Sequence, residues 1–404
     1  MATRDLKTMA LPESPVPDAD TLLARARALV PMLAQRAEAT AAARRIPDET
    51  ISALKEAGLF RILQPRRWGG YELSPAVFYE VQTILGEGDM AVAWVFGIVG
   101  VHNWHLALFD DRAAQDVWGK DTEVLVASTY MPVGKITPVE SGFKMSGRWK
   151  FSSGCDNADW ILLGAMLPDG NDGVEPGTLL VPRSDLQIVE GSWEVGGLRG
   201  TGSKDILIAK EIFIPSYRTH RHREGFQGNS PGNAVNTAPV YRLPFGQVFI
   251  RAVNGSAIGA LKGLADAVAG YAAKRVSPFG GSTADNPSAQ IAVGEAQAAV
   301  SEMRMVFRAG YAALLGYAER GVSAPMEERL IYKFQAAQTT TRAADLAMKL
   351  YRVVGGTGLF TDLPFSRMVD DIVAARQHQF NQDFPYCANL GAVAMGKENT
   401  DFFV

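Results

Sequence analysis

The segment Trp149–Trp160 reads WKFSSGCDNADW. Leading into it, Phe143, Met145, Trp149 and Phe151 follow the alternation of a half-buried strand. Two adjacent hydroxyls, Ser152 and Ser153, come next, then Gly154, a polar corner and a second apolar run from Trp160 to Met166. Strand, small polar residues, glycine, strand is an order in which a sheet offers a hydroxyl and a backbone N–H to a bound ring. The same residue types also make an ordinary β-turn. The segment alone leaves both readings open, and its surroundings decide.

Around it, residues 123–219 break into short, often alternating runs: Val124–Ser128, Lys135–Pro138, Phe143–Phe151, Trp160–Met166, Gly177–Val181, Leu186–Val189 and Ile206–Ile214. Turn residues separate them, which predicts a small barrel or sandwich. Before this unit, residues 1–20 read as a flexible lead-in and 21–122 as a helical domain. Leu22, Ala26, Leu29 and Leu33 fall on one helical face, Pro47 opens a second helix that Gly58 ends, and Ser74–Gly86, Met90–Phe109 and Arg112–Gly119 read as further helices. After it, residues 220–240 read as a polar loop and 241–404 as a helical bundle. Leu243–Lys274 is an alanine-rich helix; Asn286-Pro287 and Ser323–Pro325 open others, and Gly355-Gly356 closes the latter. Val369–Gln377 and Asn389–Glu398 complete the set. The fold class is thus α+β, in the order helices, β-unit, helical bundle.

Composition removes several functions. The 404 residues carry a net charge of −3 with no basic block, so nucleic acid has no electrostatic footprint. Two cysteines, Cys155 and Cys387, are too few for a disulfide framework and fit a reducing, cytoplasmic setting. The start of the chain lacks a signal-type apolar core, and the longest apolar run, Met90–Val101, is too short to span a bilayer. GLRGTGS (Gly197–Ser203) is glycine-rich, but it has neither the Lys-Ser/Thr of a P-loop nor the βαβ setting of a dinucleotide fingerprint. His102 and His105 share a helix face, yet two histidines without a third ligand make a poor metal site, and no metal is expected.

The order of units resembles the acyl-CoA dehydrogenase fold over essentially the whole chain after residue 20. Dehydrogenases of that fold mostly use a late glutamate as base; here ARQHQFNQDF (Ala375–Phe384) supplies His378 and no glutamate. The pieces VHNWHLALFDD (Val101–Asp111), VWG (Val117–Gly119), ASTYMP (Ala127–Pro132), FSSGCDNADW, GLRGTGS and HQFNQD (His378–Asp383) look instead like the oxygenase components of two-component flavin monooxygenases. Among these are 4-hydroxyphenylacetate 3-hydroxylase and the hydroxylase of the phenolic secosteroid 3-HSA. The resemblance implies an enzyme that takes FMNH2 or FADH2 from a separate NAD(P)H:flavin reductase. It uses O2 to form a C4a-hydroperoxyflavin and hydroxylates a phenol to a catechol. A homotetramer is implied as well. The alternative is a dehydrogenase-like or N-/S-oxidising flavoenzyme of the same fold.

The same resemblance assigns roles. His378 would stabilise the developing peroxide, as a hydrogen-bond donor or as local positive charge. Ser153, and less readily Ser152, would face flavin N5, with Trp149 beside the ring. His102 and Ser128 would meet the phenol oxygen. Arg242, Phe245 and Phe380 would line the substrate, with Phe380 standing where the hydroxyphenylacetate enzymes carry a tyrosine. Arg275, Phe279, Gly355 and Gly356 would hold the cofactor, a neighbouring subunit's in the case of the arginine motif. His105 reads as structural, and His220 and His222, in RTHRHRE, as part of a solvated loop.

Overall fold

A computed structural model describes residues 16–170, 173–276 and 281–404. The helical N-terminal part comprises α1 (Ala19–Ala43), α2 (Asp48–Glu56), α3 (Pro75–Gly88), α4 (Met90–Leu106) and α5 (Asp111–Trp118). Their starts follow local chemistry. Asp18 caps α1 through the Thr21 N–H, Ser74 caps α3 ahead of Pro75, and Asp110 caps α5. Asp89 caps α4 by accepting from the backbone of Ala91 and Val92. Every residue of α4 is buried, which fits a helix apolar all round.

Seven strands follow: β1 (Val126–Val139), β2 (Gly142–Ser152), β3 (Trp160–Pro168), β4 (Val174–Pro182), β5 (Gln187–Val189), β6 (Lys204–Pro215) and β7 (Thr219–Arg221). They pair in the order β5-β6-β2-β1-β3-β4-β7, antiparallel except for β1 with β3. The two runs read separately in the sequence, Val124–Ser128 and Lys135–Pro138, are largely one strand. Its first half pairs with β3, its second with β2, and the register breaks between Thr129 and Gly134. The turn chemistry of Ser-Gly-Cys-Asp-Asn therefore connects two strands that lie on opposite sides of β1. Met145, Trp149, Ile161, Leu163, Leu179, Ile206 and Ile214 fill the interior of this unit.

The stretch expected to be a polar loop, 220–240, contains the end of β7, a short helix α6 (His222–Gln227) and two 3-10 turns. The bundle then consists of α7 (Phe245–Ala252), α8 (Gly255–Lys274), α9 (Pro287–Glu319), α10 (Met326–Val354), α11 (Phe365–Ala375) and α12 (Asp383–Ala394). The single helix expected over Leu243–Lys274 is broken at Val253-Asn254. Carbonyls there are claimed from outside: Asn381 Nδ2 donates to Val253 O at 2.8 Å, and Gln82 Nε2 to Ala252 O at 2.8 Å. With those acceptors engaged, the ladder yields and the chain turns. α3 and α8 touch backbone to backbone, since a Cβ on Gly259 would stand 1.8 Å from Thr83 O. None of the described helices is long and apolar enough to cross a membrane.

Candidate active site

α4 is the spine of the site. Gly154, directly after the paired serines, sits against it with φ +70°; a Cβ there would meet Val95 and Val99 at 2.7 and 3.0 Å. Glycine is needed for both the dihedral and the approach. The contact brings Ser153 to Trp94, whose Nε1–H donates to Ser153 Oγ at 3.1 Å. Ser153 Oγ lies 2.7 Å from Ser203 Oγ, which lies 2.7 Å from Thr201 Oγ1, which donates to Leu198 O at 2.8 Å. The carbonyl can only accept, so it sets the direction of the whole row. Thr201 spends its hydrogen on Leu198, Ser203 on Thr201, and Ser153 on Ser203. A hydroxyl oxygen has two lone pairs; Ser153 accepts one N–H from Trp94 and has one acceptor position left.

His378 meets the Trp94 ring edge-on, centroids 5.8 Å apart. It precedes a 3-10 turn, and its Nδ1 accepts the Phe380 N–H at 3.2 Å. The ring hydrogen is therefore on Nε2, as a donor. The residue as a whole is half-buried, and burial of the imidazole pushes its pKa down to about 4. It is a neutral donor at neutral pH rather than a positive charge.

The second group of residues lies further along α4. His102 Nδ1 is 2.6 Å from Val126 O, which places the hydrogen on Nδ1. Its Nε2 is then a bare lone pair, buried and without a partner. Burial lowers its pKa to about 4, against a smaller opposing effect of the Val126 bond. Ser128 and Tyr130 follow Val126 on the same strand face. The His102 ring stacks on Phe249 (6.4 Å, 20°) and meets Tyr130 edge-on (5.9 Å). Phe249 stacks on Phe245 (5.4 Å, 7°) and touches Phe380 (5.9 Å), which reaches back to His378 (5.6 Å). Aromatic rings thus join the two groups into one wall.

A third group lies at the C-terminal ends of α8 and α10. Arg275 Nη1 donates to Val354 O at 2.9 Å, and Gly355 follows with φ +63°, next to the guanidinium. Gly355 and Gly356 are exposed, as are Leu359 and Phe360 beside them. Phe279 lies outside the described residues.

Several expectations need correction. The Trp149 side chain is fully buried in the β-unit, its indole N–H donated to Gly164 O at 2.8 Å, so it presents nothing to a cofactor. The Ser152 hydroxyl is likewise fully enclosed and has no partner. On the same strand it is Phe151 that is open, 64% exposed with φ +67°. Arg242 is exposed, whereas Phe245, three residues later, is buried in the aromatic wall. His220 and His222 are each 1% exposed rather than solvated. From His220 to Arg223 the chain alternates: Arg221 and Arg223 point outward to Glu175 while both histidines point in, and Arg218, ahead of that alternation, pairs with Asp116. The period of two was the available signal, masked by the charges. Trp94 and Tyr130 were missed altogether, because an aromatic inside an apolar run carries no local mark of function. Among the described residues no group of three or more His, Cys, Asp or Glu is arranged to hold a metal ion.

Comparison with known proteins places this geometry. Residues 252–383 match the family model described as acyl-CoA dehydrogenase, C-terminal domain. The chain is 36% identical to the flavin-dependent monooxygenase, oxygenase subunit HsaA, of Rhodococcus jostii, over 94% of this chain and 100% of that protein. It is 31% identical to the FADH(2)-dependent resorcinol hydroxylase, oxygenase component, of a Rhizobium species, over 88% of this chain and 90% of that one. The crystal structure of 3-HSA hydroxylase from Rhodococcus sp. RHA1 superimposes with a TM-score of 0.91 at 35% identity, over 96% of this chain and 100% of that chain. With its α+β architecture and a relative matched along its full length, the chain belongs to the oxygenase subunits of flavin-dependent monooxygenases, built on the acyl-CoA dehydrogenase fold.

Proposed function

We propose that this chain is the oxygenase component of a two-component phenol hydroxylase that takes reduced flavin, FMNH2 or FADH2, from a separate reductase and inserts one atom of O2 ortho to a phenol hydroxyl. The observation that carries this reading is the His102 Nε2 lone pair, buried, unpartnered and held in one tautomer by Val126. A buried bare acceptor beside aromatic faces suits a phenol O–H, and drawing on that proton enriches the ring carbon that must attack oxygen. Ser128 gives the phenol oxygen a second polar contact, and Phe245, Phe249 and Phe380 hold the ring in an apolar slot.

The residues at Ser153 fit reduced flavin. The open position on Ser153 Oγ accepts, and reduced flavin carries a hydrogen on N5 whereas oxidised flavin does not. Bound reduced flavin supplies the electrons that activate O2. His378 Nε2–H is the donor available to stabilise negative charge developing on oxygen, in a setting where Trp94 and Phe380 limit water. Arg275, with the exposed backbone of Gly355 and Gly356, suits a phosphate. In the homotetramer that the family resemblance implies, that phosphate would belong to a neighbouring subunit's flavin. The dehydrogenase alternative gains no support, because the base position holds neutral His378 and no glutamate.

The test is a single turnover: protein, photoreduced FMN or FAD and a panel of one- and two-ring phenols, mixed anaerobically and then given O2. Catechol formed in proportion to protein supports the reading. Release of H2O2 with every phenol, together with oxidation of an acyl thioester, refutes it.

A further inference from the structure

Three buried imidazoles have no task in the reaction as described, and two of them form a line. Tyr130 hydroxyl is 2.8 Å from His105 Nδ1; His105 Nε2 is 3.0 Å from His220 Nδ1; His220 Nε2 is 2.9 Å from Ser230 Oγ. Ser128 stands two residues before Tyr130 on the same strand face, and Ser230 lies between exposed Asn229 and Pro231 at the other end. We propose that Ser128–Tyr130–His105–His220–Ser230 is a proton relay that connects the phenol oxygen with solvent while the aromatic site stays closed. This rests on the reading that His102 and Ser128 hold that oxygen.

The geometry satisfies what a relay needs. Each imidazole is bonded through both ring nitrogens, so each can take a hydrogen on one side and release one on the other. A single direction is consistent along the row: Tyr130 O–H to His105, His105 N–H to His220, His220 N–H to Ser230. The reversed direction is equally consistent, and passing one proton converts one into the other. Both rings are kept neutral: burial and the neighbouring imidazoles push His105 well below its usual pKa, and burial with His222 nearby brings His220 to about 3. A charged ring would be a donor at both nitrogens and would block the row.

The balance is closed. As the ring carbon attacks oxygen, the phenol O–H proton enters at Ser128 and one proton leaves at Ser230, reversing every hydrogen bond between. The C–O bond forms as the O–O bond breaks; when the ring regains aromaticity, the hydrogen of the hydroxylated carbon leaves as a proton that neutralises the oxygen left by O–O cleavage, and the ring oxygen takes a proton back along the row. That return restores the starting tautomers, and no relay group is left charged. Without it, no hydrogen-bonded row among the described residues carries the proton past Phe109, Phe245 and Phe249, which pack around His105 and Tyr130.

His220→Gln tests this. The amide presents one acceptor and one donor to the same two neighbours, so it holds the packing, but it does not exchange a proton between them. In single turnovers in H2O and D2O, wild type shows a solvent isotope effect with more than one proton in flight. The variant is expected to melt normally, to keep KM for the phenol, and to hydroxylate at least about tenfold more slowly, with a changed isotope effect. Ser230→Ala, cut at the solvent end, should show the same signature. A His220→Gln variant that hydroxylates at the wild-type rate with the wild-type isotope effect overturns the relay and leaves the function standing. A wild type that forms no catechol overturns the functional reading instead. A separate readout uses the flavin-free protein: 15N shifts show His105 and His220 as neutral rings at pH 7, and an imidazolium at either position refutes the relay.

Discussion

Replacing Ser203 with alanine tests whether hydrogen-bond direction selects the flavin's redox state. Ser203 has one consequence at the site: it takes the Ser153 hydrogen, because its own is committed to Thr201 and Thr201's to Leu198. Trp94 fills one lone pair of Ser153, so the native hydroxyl can only accept from a ligand. Reduced flavin, with N5–H, satisfies it; oxidised flavin, with a bare N5, sets two acceptors against each other. In Ser203→Ala the Ser153 hydrogen is freed and can turn to the oxidised N5. A net neutral hydrogen bond is worth about 0.5–1.5 kcal/mol, which is roughly 2- to 13-fold in affinity. Oxidised flavin should therefore bind more tightly by that factor, while reduced flavin binds as before. Anaerobic titrations followed by flavin fluorescence give the Kd of oxidised flavin, and competition against it gives the reduced form. An unchanged ratio of the two constants would show that the direction of the hydroxyl row does not govern flavin choice.

His102→Ala removes the bare acceptor and should lower single-turnover hydroxylation by about 10²- to 10⁴-fold, with flavin affinity intact; product yield by chromatography decides. Trp94→Phe keeps most of the packing but removes the donor to Ser153, so more turnovers should end in H2O2, read by a peroxide assay against catechol formed; an unaltered ratio counts against Trp94 as a positioning residue. Acid should destabilise the fold between about pH 6.5 and 4. The folded pKa values of His102, His220, His222 and His378 fall to about 3–4, and that of His105 falls well below its usual value. In that window the unfolded chain therefore binds protons that the native one refuses. Asp89 and Asp371, raised to about 6 and 7 by burial, work in the opposite sense. Burial also raises Glu87, Glu224 and Asp370, though less. The large downward shifts of all five imidazoles outweigh two large and three smaller carboxyl shifts, so melting temperature should drop on acidification, and a flat or rising profile across that range would contradict the burial of the histidines.

Periodicity and punctuation were enough for the architecture. Pro after Asn286, the paired glutamates at the start of α10 and the glycine after Val354 act over one helical turn, so their effect is visible in a short window of sequence. The motif order was also legible, because each piece is contiguous: His378, Ser153, Ser128 and His102 could all be named from it. Tertiary structure decided what those groups are chemically. Whether Ser153 donates or accepts depends on a carbonyl at Leu198, and the His102 tautomer depends on Val126, 24 residues away. Trp149 and Ser152, close in the chain to Ser153, were lost to the interior because a strand turns successive side chains to opposite faces, and a positive φ at Phe151 shifts that alternation. His105 and His220, 115 residues apart, meet only because β7 completes the sheet edge beside α4. Hydrogen bonds and burial act through space over a few ångströms, so the charge and proton state of this site had to wait for the fold.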